Sequence, residues 1–184
     1  MAEQDAAELT RRFETIRALV MDVDGVLTDG GIVLSSDGSE VKRFHVADGL
    51  GIQLARHAGL RVVWLTSRQS AIVERRAREL QVSRLIQGAA DKAAALGADM
   101  REHDLGVDEV AYVGDDLNDL PPMRLCGLRF APANAAAEVK AEADLLLEKE
   151  GGHGAVREMC DLVLKIQGRW LDALTAYLAD AVRM

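Results

Sequence analysis

The sequence predicts an α/β fold, a Rossmann-like three-layer sandwich with a central parallel β-sheet. Strand-length runs such as RVVWLTS (61–67) and VAYVGDD (110–116) are apolar throughout, as in strands covered on both faces. Helix-length stretches separate these runs, and strand, helix, strand order implies right-handed crossovers between parallel strands. Only one segment alternates, 30–46, around an Asp-Gly pair. At 184 residues the chain has the length of one domain, so residues 1–184 are read as a single unit.

The elements follow in order. The first 14 residues are acidic and lack the apolar stretch of a signal peptide. IRALVMDV (16–23) reads as the first buried strand and ends in Asp22 and Asp24. GGIVLSSDGSEVKRFHV (30–46) places β-rich arms on both sides of Asp37-Gly38, a strong hairpin signal. A β-hairpin is therefore expected to project from the loop after the first strand. A helical pattern covers 50–58, and RVVWLTS follows as a strand ending in Thr66, Ser67 and Arg68. Next come a helix over 70–80, a minor strand RLIQG (84–88) and a helix over 91–105 that Lys92 opens. VAYVGDD leads into GDDLND (114–119), with a helix over 117–126. LRFAPAN (128–134) and ADLLLEK (143–149) are shorter strands. The segment 154–184 reads as a long C-terminal helix with a break near Gly168. No linker, repeat or low-complexity tract interrupts this order.

Composition narrows the function. Hydrophobic residues at 49% and charged residues at 28% are ordinary for a globular chain. A net charge of −8 argues against a nucleic-acid partner or an anionic membrane surface. An anionic small substrate stays open, because a bound cation reverses the sign locally. No apolar run approaches the ~20 residues of a membrane span. Cys126 and Cys160 have no paired spacing and read as buried thiols of a reducing compartment, the cytoplasm.

Ligands of parallel α/β sheets bind at the carboxyl ends of the strands. That edge collects Asp22, Asp24, Thr66, Ser67, Arg68, Lys92 and GDDLND. Asp22 and Asp24 are two residues apart, so in an extended strand both leave on the same side. Like charges repel and are costly to desolvate, so a cation is expected beside them. With Asp115 they make three converging carboxylates, hard oxygen ligands that suit Mg²⁺. Thr66 and Lys92 then read as donors to an anion that the metal also holds, a phosphoryl clamp. No Walker-type loop is present, which argues against nucleoside triphosphate binding. Each residue alone has a plain structural explanation as a cap, a turn or a solvated lysine. Their conjunction at one edge is what points to a site.

In order, DVDGVLTDG, WLTS, Lys92 and GDDLND resemble the four motifs of the haloacid dehalogenase superfamily of phosphatases, over roughly 16–160. The resemblance implies that Asp22 is a nucleophile forming an aspartyl-phosphate. Asp24 would protonate the leaving oxygen and then activate water. Mg²⁺ would be held by Asp22, Asp24 (through its backbone carbonyl) and Asp115, with Asp116 and Asp119 supporting. Thr66, Ser67 and Lys92 would hold the phosphoryl oxygens. Most members carry a cap domain, whereas here only the hairpin intervenes.

FHVADGLGI (44–52) and GGHGAVRE (151–158) narrow the resemblance to a capless, tetrameric branch. Its members hydrolyse 3-deoxy-D-manno-octulosonate 8-phosphate in lipopolysaccharide sugar synthesis. This implies a small phosphorylated sugar acid as substrate, contacted by His45, Val46, Ala47, Asp48, Gly49, Arg68 and Arg76. It also implies a homotetramer in which hairpins pack together and each subunit helps to close its neighbour's site. Arg68 suits a carboxylate, which a guanidinium pairs bidentately, and favours the eight-carbon sugar over a related nine-carbon one. Ala47 and Gln53 stand where relatives often carry arginine, and His153 where several carry arginine or lysine. A phospho-acceptor signalling domain would need an aspartate where RVVWLTS ends in Thr66 and Ser67. An idle binding module would have no use for the full reactive set.

Overall fold

A computed structural model describes residues 2–181; residues 182–184 of the expected tail lie outside them. The chain opens with α1 (Ala2–Thr15) and β1 (Ala18–Met21). A hairpin of β2 (Val33–Leu34) and β3 (Glu40–Val41) leads to α2 (Val46–His57) and β4 (Arg61–Leu65). Then come α3 (Ala71–Glu79), β5 (Arg84–Ile86), α4 (Lys92–Glu102), β6 (Val110–Val113) and α5 (Leu120–Met123). The chain continues through β7 (Leu128–Ala131), α6 (Ala137–Glu142), β8 (Leu145–Leu146), α7 (Ala155–Ile166) and α8 (Trp170–Ala181).

Six strands form one sheet in the order β5-β4-β1-β6-β7-β8, and every neighbouring pair is parallel. The uniformly apolar runs are explained by cover on both faces. Leu19, Met21, Trp64 and Val113 point into a core shared with α1, α2, α3, α7 and α8. Their strand neighbours Ala18, Val20, Leu65 and Tyr112 point into a second core with α4, α5 and α6. Successive side chains alternate faces, so an uninterrupted run fills both cores at once. Cys126 and Cys160 are buried free thiols.

Three boundaries differ from expectation. The helix α1 had no counterpart; Leu9 and Phe13, four residues apart, mark its inner face but are its only large apolar residues after Met1 in an otherwise polar stretch. The next helix starts at Val46 instead of residue 50, with His45 in extended backbone as its N-cap. The helix expected over 117–126 is a 3₁₀ turn, Leu117–Asp119, followed by the single turn of α5. Pro121 and Pro122 explain this, since proline lacks the amide donor and fits only a first helical turn. As expected, the tail divides into α7 and α8 at Gly168, whose φ of +68° is the left-handed stop of a helix.

The hairpin pairs Val33 with Val41 and Leu34 with Glu40. Asp37 closes its turn by accepting from Ser39 N at 2.9 Å and Ser39 Oγ at 2.7 Å. Its apolar residues Ile32, Val33, Leu34 and Val41 are all exposed.

Candidate active site

The site begins where β1 ends. Asp22 N still joins the ladder, donating to Val113 O at 3.1 Å, but Leu27 N and Thr28 N both turn back onto Val23 O. Asp22 is thus the last residue of the strand course, and Asp24 lies in a turn that Gly25 closes with φ +97°. The period-two expectation therefore fails at Asp24. Asp22 is buried beneath the sheet edge, and Asp24 is half-buried at the mouth.

Three other strand ends deliver the remaining groups. After β4, Thr66 is buried and its Oγ1 accepts from Arg68 N at 3.2 Å. Its hydroxyl keeps a donor that an acceptor in the cleft could use. After β5, Lys92 opens α4 and is buried; its Nζ donates to Asp22 Oδ1 and Asp119 Oδ1, each at 2.8 Å. After β6, Asp119 is wholly buried and also accepts from Tyr112 OH at 2.7 Å and Asp115 N at 3.0 Å. Asp116 is exposed, and its carboxylate accepts from Leu117 N at 2.8 Å.

The electrostatics are unbalanced. Burial, then the charge of Asp119, pushes the Asp22 carboxyl upward despite Lys92. Burial and the charges of Asp22, Asp119 and Asp116 push Asp115 up to about 8. For Lys92, burial works against the charge, but Asp22 and Asp119 outweigh it, and the ammonium is held above its ordinary value. Three carboxyl groups face one ammonium in a buried site, and the upward shifts of Asp22 and Asp115 express that crowding.

These residues fit a divalent cation. Carboxylate oxygens of Asp22, Asp115 and Asp119 all lie within 4.8 Å of one another. Asp115 Oδ1 is buried without a hydrogen-bond partner, an acceptor that Mg²⁺ would satisfy. The side-chain trio differs from the expected one, with Asp119 in the place of Asp24. The Asp24 carboxylate is turned to the hairpin, where Lys42 Nζ donates to it.

The cleft between these groups measures about 260 Å³. Asp22, Asp24, Thr66, Ser67, Arg68, Lys92, Asp115 and Asp116 line it, as do Gly30 and Asn118, which sequence reasoning missed. Lys42 and Glu40 were missed as well. Glu40 accepts from Arg68 Nη2 at 3.0 Å and from Ser70 Oγ at 2.9 Å. The available signal was their spacing, two apart on an extended arm and opposite in charge, which puts both on one face.

The other residues expected to touch substrate do not line this cleft. His45 and Ala47 line a separate groove with His153 and Arg157. Val46 is 82% exposed. Asp48 is buried and accepts from Arg157 N at 2.8 Å, capping α7. A Cβ on Gly49 would lie 2.5 Å from Arg76 Nη2, so the glycine makes room for that guanidinium. Gly151 and Gly152 of GGHGAVRE press on the turn at Gly25, with Gly152 N donating to Val26 O at 2.8 Å.

A buried carboxylate, a lysine, a hydroxyl and a cation-fitting trio at the edge of a parallel sheet define a hydrolase that works on phosphoryl groups. Residues 79–159 match the model of the haloacid dehalogenase-like hydrolases. The 3-deoxy-D-manno-octulosonate 8-phosphate phosphatase of Escherichia coli K12 is 41% identical over 164 residues, 89% of this chain and 87% of that one. The Moraxella catarrhalis phosphatase of the same name, solved with magnesium, phosphate and the sugar acid, superposes with a TM-score of 0.88. It is 41% identical, and the alignment covers 93% of this chain and 98% of that one. The cobalt-bound Haemophilus influenzae phosphatase superposes at 0.85 with 38% identity, covering 91% and 99% of the two chains. The chain belongs to the 3-deoxy-D-manno-octulosonate 8-phosphate phosphatase family of the haloacid dehalogenase-like hydrolases.

Proposed function

We infer that this protein is a Mg²⁺-dependent phosphomonoesterase that converts 3-deoxy-D-manno-octulosonate 8-phosphate to the free sugar acid and phosphate. The observation that carries this is the buried Asp22–Lys92–Asp119 chain at the floor of the cleft, with Thr66 on its wall. Lys92 fixes the nucleophile through Asp22 Oδ1 and presents positive charge where phosphoryl oxygens gather negative charge. In the first step an Asp22 oxygen bonds to phosphorus, the bond from phosphorus to the sugar oxygen breaks, and Asp24 gives that oxygen its proton. In the second, Asp24 takes a proton from water, the water oxygen bonds to phosphorus, and the Asp22 carboxylate is released. Thr66, Ser67 and Lys92 hold the phosphoryl oxygens through both steps. Asp22, Asp115 and the Asp24 backbone carbonyl would hold Mg²⁺, with Asp119 beside them. When bound, the ion supplies Lewis-acid stabilisation of the phosphoryl charge.

Residues 1–184 act as one catalytic unit in the cytoplasm, with the hairpin standing where a cap would be. Among the described residues no helix is long and apolar enough to cross a membrane, and the exposed apolar hairpin supports assembly into a tetramer. In that assembly His45, Val46, Ala47 and Arg76 would serve a neighbouring site, with the buried Asp48 and Gly49 holding that segment in place, while Arg68 meets the sugar carboxylate at its own. The test is phosphate release from a panel of sugar phosphates with Mg²⁺ and with excess chelator. The eight-carbon sugar-acid phosphate is expected to lead the panel, and Asp22→Asn to remove turnover while the fold survives. Turnover by folded Asp22→Asn, or full activity in chelator, would overturn the mechanism; preference for the nine-carbon acid would reassign the substrate.

A further inference from the structure

Lys42 lies on the same hairpin as four exposed apolar residues, yet its side chain is only 1% exposed. Burying an ammonium is costly unless it is paired. Its pairing is specific: Nζ donates to Asp24 Oδ1 and lies 3.6 Å from Glu40 Oε1. Glu40 in turn is tied to the loop after β4 through Ser70 Oγ and Arg68 Nη2. The hairpin arm is thereby anchored at the mouth of the cleft, and the anchor sets where the ammonium stands. Asp24 needs such a partner. It lies in a turn beyond the ladder, and its other cationic neighbour, Arg68 Nε, stands 3.8 Å away, beyond hydrogen-bond range.

We propose that Lys42 is the positioning residue for Asp24, the hairpin's means of aiming the acid–base carboxylate at the leaving oxygen. It rests on Asp24 as the acid–base group. The hairpin is then part of the catalytic machinery of its own subunit as well as an apolar surface. Glu40 and Lys42 together make the link: one holds the arm, the other holds the acid.

Leaving-group dependence tests this. A sugar alkoxide needs a proton to depart; nitrophenolate and acetate do not. Lys42→Met, Lys42→Arg and Asp24→Asn are assayed as the full chain by rapid quench, with 3-deoxy-D-manno-octulosonate 8-phosphate, p-nitrophenyl phosphate and acetyl phosphate. Lys42→Met is expected to slow the first turnover of the sugar phosphate about 100-fold, within the range of general acid catalysis. The first-turnover burst of the activated phosphates should change by less than about threefold on the same grounds. Lys42→Arg should recover most of the sugar-phosphate rate, and should show the same selectivity in smaller measure if Lys42→Met fails to fold. Asp24→Asn separates the two layers. If Asp24→Asn is selective and the Lys42 variants slow all substrates alike, or none, the role of Lys42 is overturned. If Asp24→Asn is itself unselective, the acid–base reading of Asp24 fails, and the positioning role with it.

Discussion

Gly25→Ala would test the metal trio without touching any carboxylate. Gly25 has φ +97°, where an L-residue pays about 1–2 kcal/mol. The added Cβ would lie 2.0 Å from Asp115 Oδ2, 2.5 Å from Cγ and 2.8 Å from Oδ1, against an ordinary contact of about 3.5 Å. The Asp115 carboxylate must therefore retreat by more than about 1 Å. Its backbone cannot follow, because Asp115 N is held by Asp119 Oδ2 at 3.0 Å. The side chain must rotate, taking its oxygens away from Asp22 and Asp119. The expected outcome is a rise of at least about tenfold in the Mg²⁺ concentration for half-maximal activity, on the scale of disturbed metal-site support. The melting temperature should fall by about 2–8 °C, at the usual 2–4 °C per kcal/mol for a chain this long. The assay is a Mg²⁺ titration of kcat/KM beside a thermal melt, and saturating Mg²⁺ should restore part of the rate. Half-saturation within twofold of the parent protein would refute Asp115 as a metal ligand.

Two further outcomes follow from packing. Gly151→Ala sets a Cβ 1.7 Å from Gly25 O, a backbone atom, and is expected to destabilise by at least about 1–3 kcal/mol, the usual cost of overpacking; an unchanged melt would show that the 151–154 loop is not packed on the turn. Leu34→Glu charges the 68%-exposed tip of the hairpin and should shift a tetramer toward smaller species in light scattering at micromolar concentration, whereas a fully active monomeric parent would refute the neighbour-as-cap assembly.

The parts of the site legible in the sequence are those that a sheet edge dictates. Thr66, Lys92 and Asp115 each follow an apolar strand, and parallel topology alone gathers them. What was not legible depends on where the chain leaves regular structure. Asp24 was placed beside Asp22 by strand periodicity, but periodicity ends one residue earlier, as Val23 O accepts from both Leu27 N and Thr28 N. Asp119 was ranked as a supporting residue because GDDLND offers four similar polar side chains. Only the 3₁₀ turn decides that Asp119 points inward while Asp116 caps the turn. Lys42 escaped notice because its arm reads as a hairpin that packs on other subunits, and its burial arises from a contact 18 residues back in the chain.

The break in periodicity also bears on the different tasks proposed for the two aspartates of this short motif. An acid and a nucleophile made from the same side chain need different surroundings. Had the strand continued, Asp22 and Asp24 would share one face, one lysine and one repulsion. The turn at Gly25 separates them instead. Asp22 stays below, bonded to the buried Lys92 and facing Asp119 and Asp115. Asp24 rises to the mouth and meets a different ammonium, Lys42, supplied by a different element. The glycine thus serves two ends in one conformation. It lets the chain turn with positive φ, and its missing Cβ leaves the space that Asp115 occupies. Gly151 closes the arrangement from outside by packing directly on Gly25 O. On the roles proposed for Asp22 and Asp24, their division of labour starts from the turn at Gly25 and the backbone contact of Gly151 upon it.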